Sequence, residues 1–279
     1  MKAAGGEFNL ARVVNDLLTV GCASFAVEDE LRLASQKALA TGRRTLSRTD
    51  SKEQLVTWSG NGMWSGYQPL PEGDPQHIDM VERYEMPAAA LKAALNPSGP
   101  ALAPEGELHA ALRAAHDRSI DLIGRLIATA AATRGHAEDK TRSLWLEDHE
   151  STTVVNYYPP LLLDPIAMKA HRDFGGLTII FFEPGKAGAL DIHDGNDWRA
   201  IPPDACACAI VGELLAGWLG CTPPLHRVRS TAVPRTSLVV FHQPAFDRTV
   251  RFKDGSLVNA GQHIAARQAE YNMLDGRYR

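Results

Sequence analysis

The run His171-Arg172-Asp173-Phe174-Gly175-Gly176-Leu177-Thr178-Ile179-Ile180-Phe181-Phe182 decides the fold. Its second half is a short apolar block of β-rich composition, bounded by a glycine pair, and reads as a strand. Residues two apart on a strand point the same way, so His171 and Asp173 project together from one strand end. Working outward, similar runs occur at Thr152–Asn156, Ala205–Val211 and Ser237–Phe241, separated by turns such as His193-Asp194-Gly195-Asn196-Asp197. Short strands at regular spacing indicate a sandwich or barrel. Upstream the pattern changes. Leu10, Val13, Val14, Leu17 and Leu18 fall on one helical face, and Cys22–Val27 reads as a short strand. Residues 28–46 are charged, alanine-rich and helix-like, whereas 50–104 are rich in Gly, Pro, Trp and Tyr and read as loop or irregular strand. A long helix follows Pro104, with a stripe of Leu108, Leu112, Ala115, Leu122, Leu126 and Ile127 and a stop at Gly135. The expected architecture is an all-β core with surrounding helices, in one domain over 1–279: a helical part to about 145, the β core at about 150–255, and a helix at about 262–279.

The 279 residues are long enough to bury a sizeable core. The content of 44% hydrophobic and 22% charged residues is that of a globular protein. A net charge of -4 argues against a nucleic-acid binder. Cys22, Cys206, Cys208 and Cys221 are too few and scattered for a disulfide framework, and Cys206 and Cys208, alternating in an apolar run, are expected on one strand face as reduced core residues. No basic segment followed by an apolar one opens the chain, and no apolar stretch of about 18 residues occurs, so neither a signal peptide nor a membrane span is expected. A cytoplasmic, monomeric enzyme acting on a small molecule is the default.

His171 and Asp173 leave a third ligand to find, and His226, in Leu225-His226-Arg227-Val228, stands beside another apolar run. Two histidines and one carboxylate form the facial triad of non-haem iron(II) sites, which leaves positions open for co-substrate and O₂. Without thiolates the set suits iron(II) better than structural zinc. Taken alone, His-x-Asp is also an ordinary surface pattern, and so is a lone histidine. Arg235-Thr236-Ser237 follows His226 by nine residues and runs into Leu238-Val239-Val240-Phe241. Arg235 and Ser237 share a strand face, where a guanidinium and a hydroxyl can hold a carboxylate. An inward-facing arginine needs an anion, because a buried unpaired charge is costly. Asn156 and Tyr158, two apart in Asn156-Tyr157-Tyr158-Pro159-Pro160, could add to the same anion site.

These motifs, with Val211-Gly212-Glu213-Leu214-Leu215 between them, resemble in order and spacing the isopenicillin N synthase-like branch of the Fe(II)/2-oxoglutarate dioxygenases. The resemblance is strong over about 150–250 and weaker over 7–95, where Val20–Val27 is similar to an early family strand. It implies a double-stranded β-helix (jelly roll). It implies iron(II) on His171, Asp173 and His226, and 2-oxoglutarate held at its distal carboxylate by Arg235 and Ser237, with Tyr158 assisting and Asn156 nearby. It implies decarboxylation of 2-oxoglutarate to succinate, with O₂-dependent hydroxylation, desaturation or ring formation on a substrate, with specialised metabolism as the expected setting. The chain departs from the pattern at Arg172, where Thr is common. It departs at Gly212-Glu213, where the family has Gly-Asp and where a structural role is expected, and at Val27-Glu28-Asp29 in place of Asn-His-Gly. Asp173 is retained, which argues against halogenation. Isopenicillin N synthase and the ACC oxidases share the Arg-x-Ser but need no 2-oxoglutarate, so the motif leaves both reactions open. A non-catalytic binding protein on the same fold is the alternative of a different class.

Other residues carry weaker expectations. Trp64 and Tyr67, in the glycine-rich Trp58–Tyr67, either line the substrate pocket or anchor the core; Phe182 and Phe246 are further pocket candidates. His242 reads as an ordinary polar residue with a chance of facing substrate. His77, His109, His116, His136, His149 and His263 read as surface positions, His193 as a turn, and Glu147, Asp148 and Glu150 as a solvated cluster.

Overall fold

A computed structural model describes residues 8–48, 58–60, 63–70, 79–93, 105–160 and 166–275. Its helices are α1 (Leu10–Val20), α2 (Asp29–Leu46), α3 (Ala88–Ala93), α4 (Glu105–Thr133), α5 (Glu138–Thr141), α6 (Glu213–Leu219) and α7 (Ala260–Asp275). The strands before the core are β1 (Cys22–Phe25), β2 (Trp58–Gly60), β3 (Met63–Gln68) and β4 (Glu82–Pro87). The core strands are β5 (Glu150–Tyr158), β6 (Ile166–His171), β7 (Leu177–Phe182), β8 (Leu190–His193), β9 (Trp198–Ala200), β10 (Ala207–Val211), β11 (His226–Arg229) and β12 (Arg235–Gln243). A small hairpin, β13 (Thr249–Arg251) and β14 (Leu257–Asn259), precedes α7.

The core strands divide between two antiparallel sheets. β10-β7-β12-β5 form the centre of the larger sheet and β6-β11-β8-β9 form the smaller one. The chain crosses between sheets at nearly every step, which is the jelly roll. β1 extends the larger sheet beyond β10, and β4-β3-β2 extend it beyond β5. The region before residue 145 thus supplies four strands as well as helices.

Both faces of the larger sheet are covered, so its central strands β5, β7, β10 and β12 are buried at almost every position, and β7 and β10 are almost wholly apolar. Along β7, Leu177, Ile179 and Phe181 pack outward into the core shared with α2 and α4, while Ile180 and Phe182 pack inward between the sheets. β12 repeats this, with Leu238 and Val240 outward and Val239 inward. α2 meets the sheet through Gly42, where an added Cβ would lie 2.6 Å from Val155 Cγ1; glycine permits that approach. α1 buries the predicted stripe of Val13, Val14, Leu17 and Leu18, and the Asn9 side chain caps its N-terminus by accepting from Arg12 N at 2.9 Å.

Several expectations are corrected by this packing. Cys206 precedes β10 and joins the outer core, whereas Cys208 lies in the inner one, so the two do not share a face. His116 is buried on α4, where its Nε2 meets Ser151 Oγ at 2.9 Å. His242 points outward from β12, 2% exposed, and stacks on His149 with ring centroids 4.8 Å apart. Both lie in the layer between sheet and helices, not at the surface or toward the cavity. His77 lies outside the described residues.

Candidate active site

Period-two alternation places one face of each large-sheet strand toward a cavity between the sheets. Thr152, Val154, Asn156 and Tyr158 of β5 face it, as do Thr178, Ile180 and Phe182 of β7 and Arg235, Ser237, Val239 and Phe241 of β12. The smaller sheet contributes His171 and His226, and α7 closes one side through Ile264, Gln268 and Tyr271. The cavity measures about 220 Å³, just below the roughly 300–1,000 Å³ of small-molecule pockets.

His171 ends β6 and His226 begins β11; the two are direct partners across the sheet, with ring centroids 4.2 Å apart. Asp173 lies past the end of β6, in the turn leading to β7, not on the strand itself. Its Oδ1 is 3.9 Å from His171 Nε2 and 3.7 Å from His226 Nε2. One ligand atom from each of the three residues falls within 4.8 Å of the others, a group able to hold a metal ion.

The surroundings leave both histidines able to act as ligands. His171 Nδ1 lies 2.8 Å from Lys169 O and His226 Nδ1 3.4 Å from Pro224 O. A backbone carbonyl can only accept, so each Nδ1 carries a proton, and a neutral ring then presents its Nε2 lone pair inward. Burial, reinforced by His171, pulls the His226 pKa down to about 4 against the opposing pull of Asp173, so this imidazole is neutral at neutral pH, as a ligand must be. Asp173 Oδ2 is buried without a hydrogen-bond partner among the described residues. A buried carboxylate oxygen left bare beside two inward lone pairs fits a cation.

The turn carrying Asp173 is fixed by backbone bonds: Gly176 N to His242 O (2.8 Å), Gly212 N to Gly176 O (2.7 Å) and Glu213 N to Asp173 O (2.8 Å). A Cβ on Gly212 would stand 2.5 Å from Gly175 O, so only glycine lets the start of α6 dock on this turn.

Arg235, at the start of β12, is 1% exposed. Its guanidinium lies 4.2 Å over the Tyr158 ring, on the paired residue of β5. Nε and Nη2 are buried with no hydrogen-bond partner among the described residues. Burial lowers its pKa, with Tyr158 and then Glu183 opposing the shift. A buried guanidinium with two unused donors in the same cavity as the triad calls for an anionic ligand. Ser237 and Asn156, themselves paired across β12 and β5, share its wall.

The fold thus brings together His171, Asp173, His226, Arg235, Ser237, Tyr158, Asn156 and Phe182. Tyr67 is not on the wall: it packs against the outer core and its hydroxyl donates to Glu82 Oε2 at 2.7 Å. Phe246 is also absent from the wall and lies beneath the start of α7, its carbonyl accepting from Gly261 N at 3.0 Å. Trp64 is in β3, but its side chain lies outside the described residues. The sequence reading missed Gln68, Arg83, Glu85 and Gln243 on the wall, along with the α7 residues. Period-two spacing of Arg83 and Glu85, and helical spacing of Ile264 and Gln268, were the signals available.

Fold and site together form a jelly roll whose cavity could hold a cation beside an anionic group. Residues 149–244 match the family model described as the 2OG-Fe(II) oxygenase superfamily. Gibberellin 20 oxidase 1-D of Triticum aestivum is 30% identical over 182 residues, covering 59% of this chain and 49% of that protein; the chain spans about half the length of the gibberellin 20 oxidases it matches. Among solved structures, a full-length Neurospora crassa protein in complex with alpha-KG and thymine superposes with TM-score 0.74 at 18% identity, covering 94% of this chain and 91% of that one. The rice dioxygenase for auxin oxidation gives TM-score 0.71 at 19% identity, covering 96% and 93%. Over residues 149–244 the chain is similar to the 2OG-Fe(II) oxygenase superfamily, and its likeness to the solved structures is one of fold.

Proposed function

We propose that this protein is a non-haem iron(II), 2-oxoglutarate-dependent oxygenase of a small molecule. The observation that carries the reading is Arg235, buried with two free donors in the same cavity as the His171, Asp173 and His226 cluster. The three clustered residues would hold the iron, and Arg235 with Ser237 and Tyr158 would bind the distal carboxylate of 2-oxoglutarate. Bound together with O₂, iron and 2-oxoglutarate would supply oxidative decarboxylation to succinate and CO₂, coupled to oxidation of a substrate C–H bond as hydroxylation, desaturation or ring formation. The chain's own part is binding and orientation. Asp173 and the two Nε2 lone pairs fix the metal position, the Lys169 and Pro224 carbonyls fix the rings, and Arg235 neutralises the far end of the co-substrate. The apolar inner face, with Ile180, Val239 and Phe182, keeps bulk water from the reacting centre.

Thymine in the Neurospora crassa complex, and JA in the JOX2 complex with 2OG and Fe, support a small-molecule substrate. The net charge of -4 supports action away from nucleic acid. We extend the reading to a monomeric, cytoplasmic enzyme of specialised metabolism. Among the described residues, no helix is long and apolar enough to cross a membrane. The test is a compound screen with iron(II) and 2-oxoglutarate, read by succinate. One succinate per oxidised product supports the proposal; product without succinate assigns the protein to the 2-oxoglutarate-independent oxidases instead.

A further inference from the structure

Two carboxylates that the metal and co-substrate sites do not use converge on α7. Glu213, the first residue of α6, meets His263 Nε2 at 3.0 Å through Oε2, and takes Arg267 Nε at 3.0 Å and Nη2 at 3.1 Å. Burial works against its ionisation, but the His263 and Arg267 hydrogen bonds win and hold its carboxyl below the usual range. Asp79, 1% exposed, accepts from Tyr271 OH and lies 3.6 Å from Arg83 Nη2. His263, Arg267 and Tyr271 are spaced four apart, so they form one stripe of the helix. Ile264, Gln268 and Tyr271 form the adjoining stripe, and these face the cavity. The docking stripe therefore sets where the cavity stripe stands.

Both carboxylate residues are also bonded to the segments that carry the metal-site residues. Glu213 N donates to Asp173 O at 2.8 Å, and Asp79 Oδ1 accepts from Lys169 N at 2.8 Å, two residues before His171. Arg267 additionally lies 5.2 Å over the Phe174 ring, and Tyr271 stands edge-on to His171 at 5.8 Å. These contacts fix α7 relative to the residues of the site, as a wall that holds a side chain at a set distance from the reacting centre requires.

We propose that α7 is a substrate-reading wall of the active cavity, with Glu213 and Asp79 as its positioning residues and Gln268 as its specificity-determining side chain. The amide of Gln268 both donates and accepts, and Gln68 and Gln243 share the cavity wall. The chemistry they would recognise is a compact polar molecule carrying hydrogen-bond donors and acceptors, such as an amide or a hydroxylated ring. This deepens the oxygenase reading and rests on it.

Hydrogen exchange on the full chain loaded with iron(II) and 2-oxoglutarate tests the docking. In Glu213→Gln, amides of residues 264–271 exchange roughly tenfold faster, as expected for loss of charged hydrogen bonds, while those of β5, β7 and β12 do not change. Arg267→Met reproduces the effect. Unchanged exchange in α7, or an equal rise throughout the barrel, overturns the positioning role. For a compound that stimulates succinate release by the unmodified protein, Gln268→Ala and Glu213→Gln raise its KM several-fold, with kcat and the KM for 2-oxoglutarate unchanged. An unaltered KM for that compound overturns the reading role. If no compound stimulates succinate release, the oxygenase reading falls and the substrate role with it, while the exchange result still decides the docking.

Discussion

Replacing Arg235 with Met separates the stability of the fold from its function with opposite signs. Arg235 is 1% exposed with Nε and Nη2 unpartnered among the described residues. An unpaired buried charge is a liability for the ligand-free protein, and its replacement by an apolar side chain of similar size is often neutral or stabilising by about 1–4 kcal/mol. The contact with Tyr158 at 4.2 Å, a cation–π interaction of about 0.5–2 kcal/mol, opposes that gain. The net expectation is a change between about -2 and +3.5 kcal/mol in the stability of the metal-free protein. An apolar residue truncated at so buried a site would instead lose about 2–5 kcal/mol. For 2-oxoglutarate the sign reverses. Losing one partner of a buried charge pair costs about 3–5 kcal/mol, which weakens binding by roughly 10²–10⁴-fold. Urea midpoints of the metal-free protein and calorimetric titration of 2-oxoglutarate into the iron-loaded protein measure the two. A variant that loses more than about 3 kcal/mol of stability yet binds 2-oxoglutarate unchanged would make Arg235 a structural ion and refute the reasoning.

The His226→Ala variant should lose stoichiometric iron(II) binding while keeping its fold, read by metal analysis after gel filtration; retained metal would reassign the third ligand. For the metal-free protein, the folded pKa values of His226 and His242, pulled down by burial to about 4 and about 3, lie below the unfolded value. As pH falls below about 6.5 the unfolded chain takes up protons that the folded chain does not, so each histidine removes about 1.4 kcal/mol of stability per pH unit until its folded pKa is reached. Urea midpoints that stay flat between pH 6.5 and 4 would contradict the burial of both rings. Gly42→Ala should destabilise by up to about 2 kcal/mol, because overpacking against Val155 costs about 1–3 kcal/mol, against roughly 1 kcal/mol gained in helix propensity; a raised melting temperature would show that α2 does not press on β5 there.

What the sequence revealed follows from local periodicity. Arg235 with Ser237 and Asn156 with Tyr158 were legible because strand alternation alone puts each pair on one face. The long helix was legible from its leucine stripe, which the structure buries over Glu105–Thr133. The direct pairing of His226 with His171 was not, since register between distant strands is set by the whole barrel. His116 and His149 read as surface positions, and His242 as an ordinary polar residue with a chance of facing substrate. Their burial depends on α4 and the preceding turn covering the outer face of the sheet, which no local pattern announces. Glu213 and Asp79 were opaque for the same reason: each gains its partners only once α7, some 50 and 190 residues further on, folds back over the cavity. Tyr67 was open between lining the pocket and anchoring the core; alternation along β3 turns it to the outer core and presents Gln68 to the cavity.

The central claim is that one cavity holds iron on His171, Asp173 and His226 and 2-oxoglutarate on Arg235. Calorimetric titration of 2-oxoglutarate into the unmodified protein, with iron(II) present and then removed by chelation, tests it most directly. The expected result is one site per chain whose affinity falls at least tenfold when the metal is removed. Absence of 2-oxoglutarate binding, or binding indifferent to the metal, would contradict it.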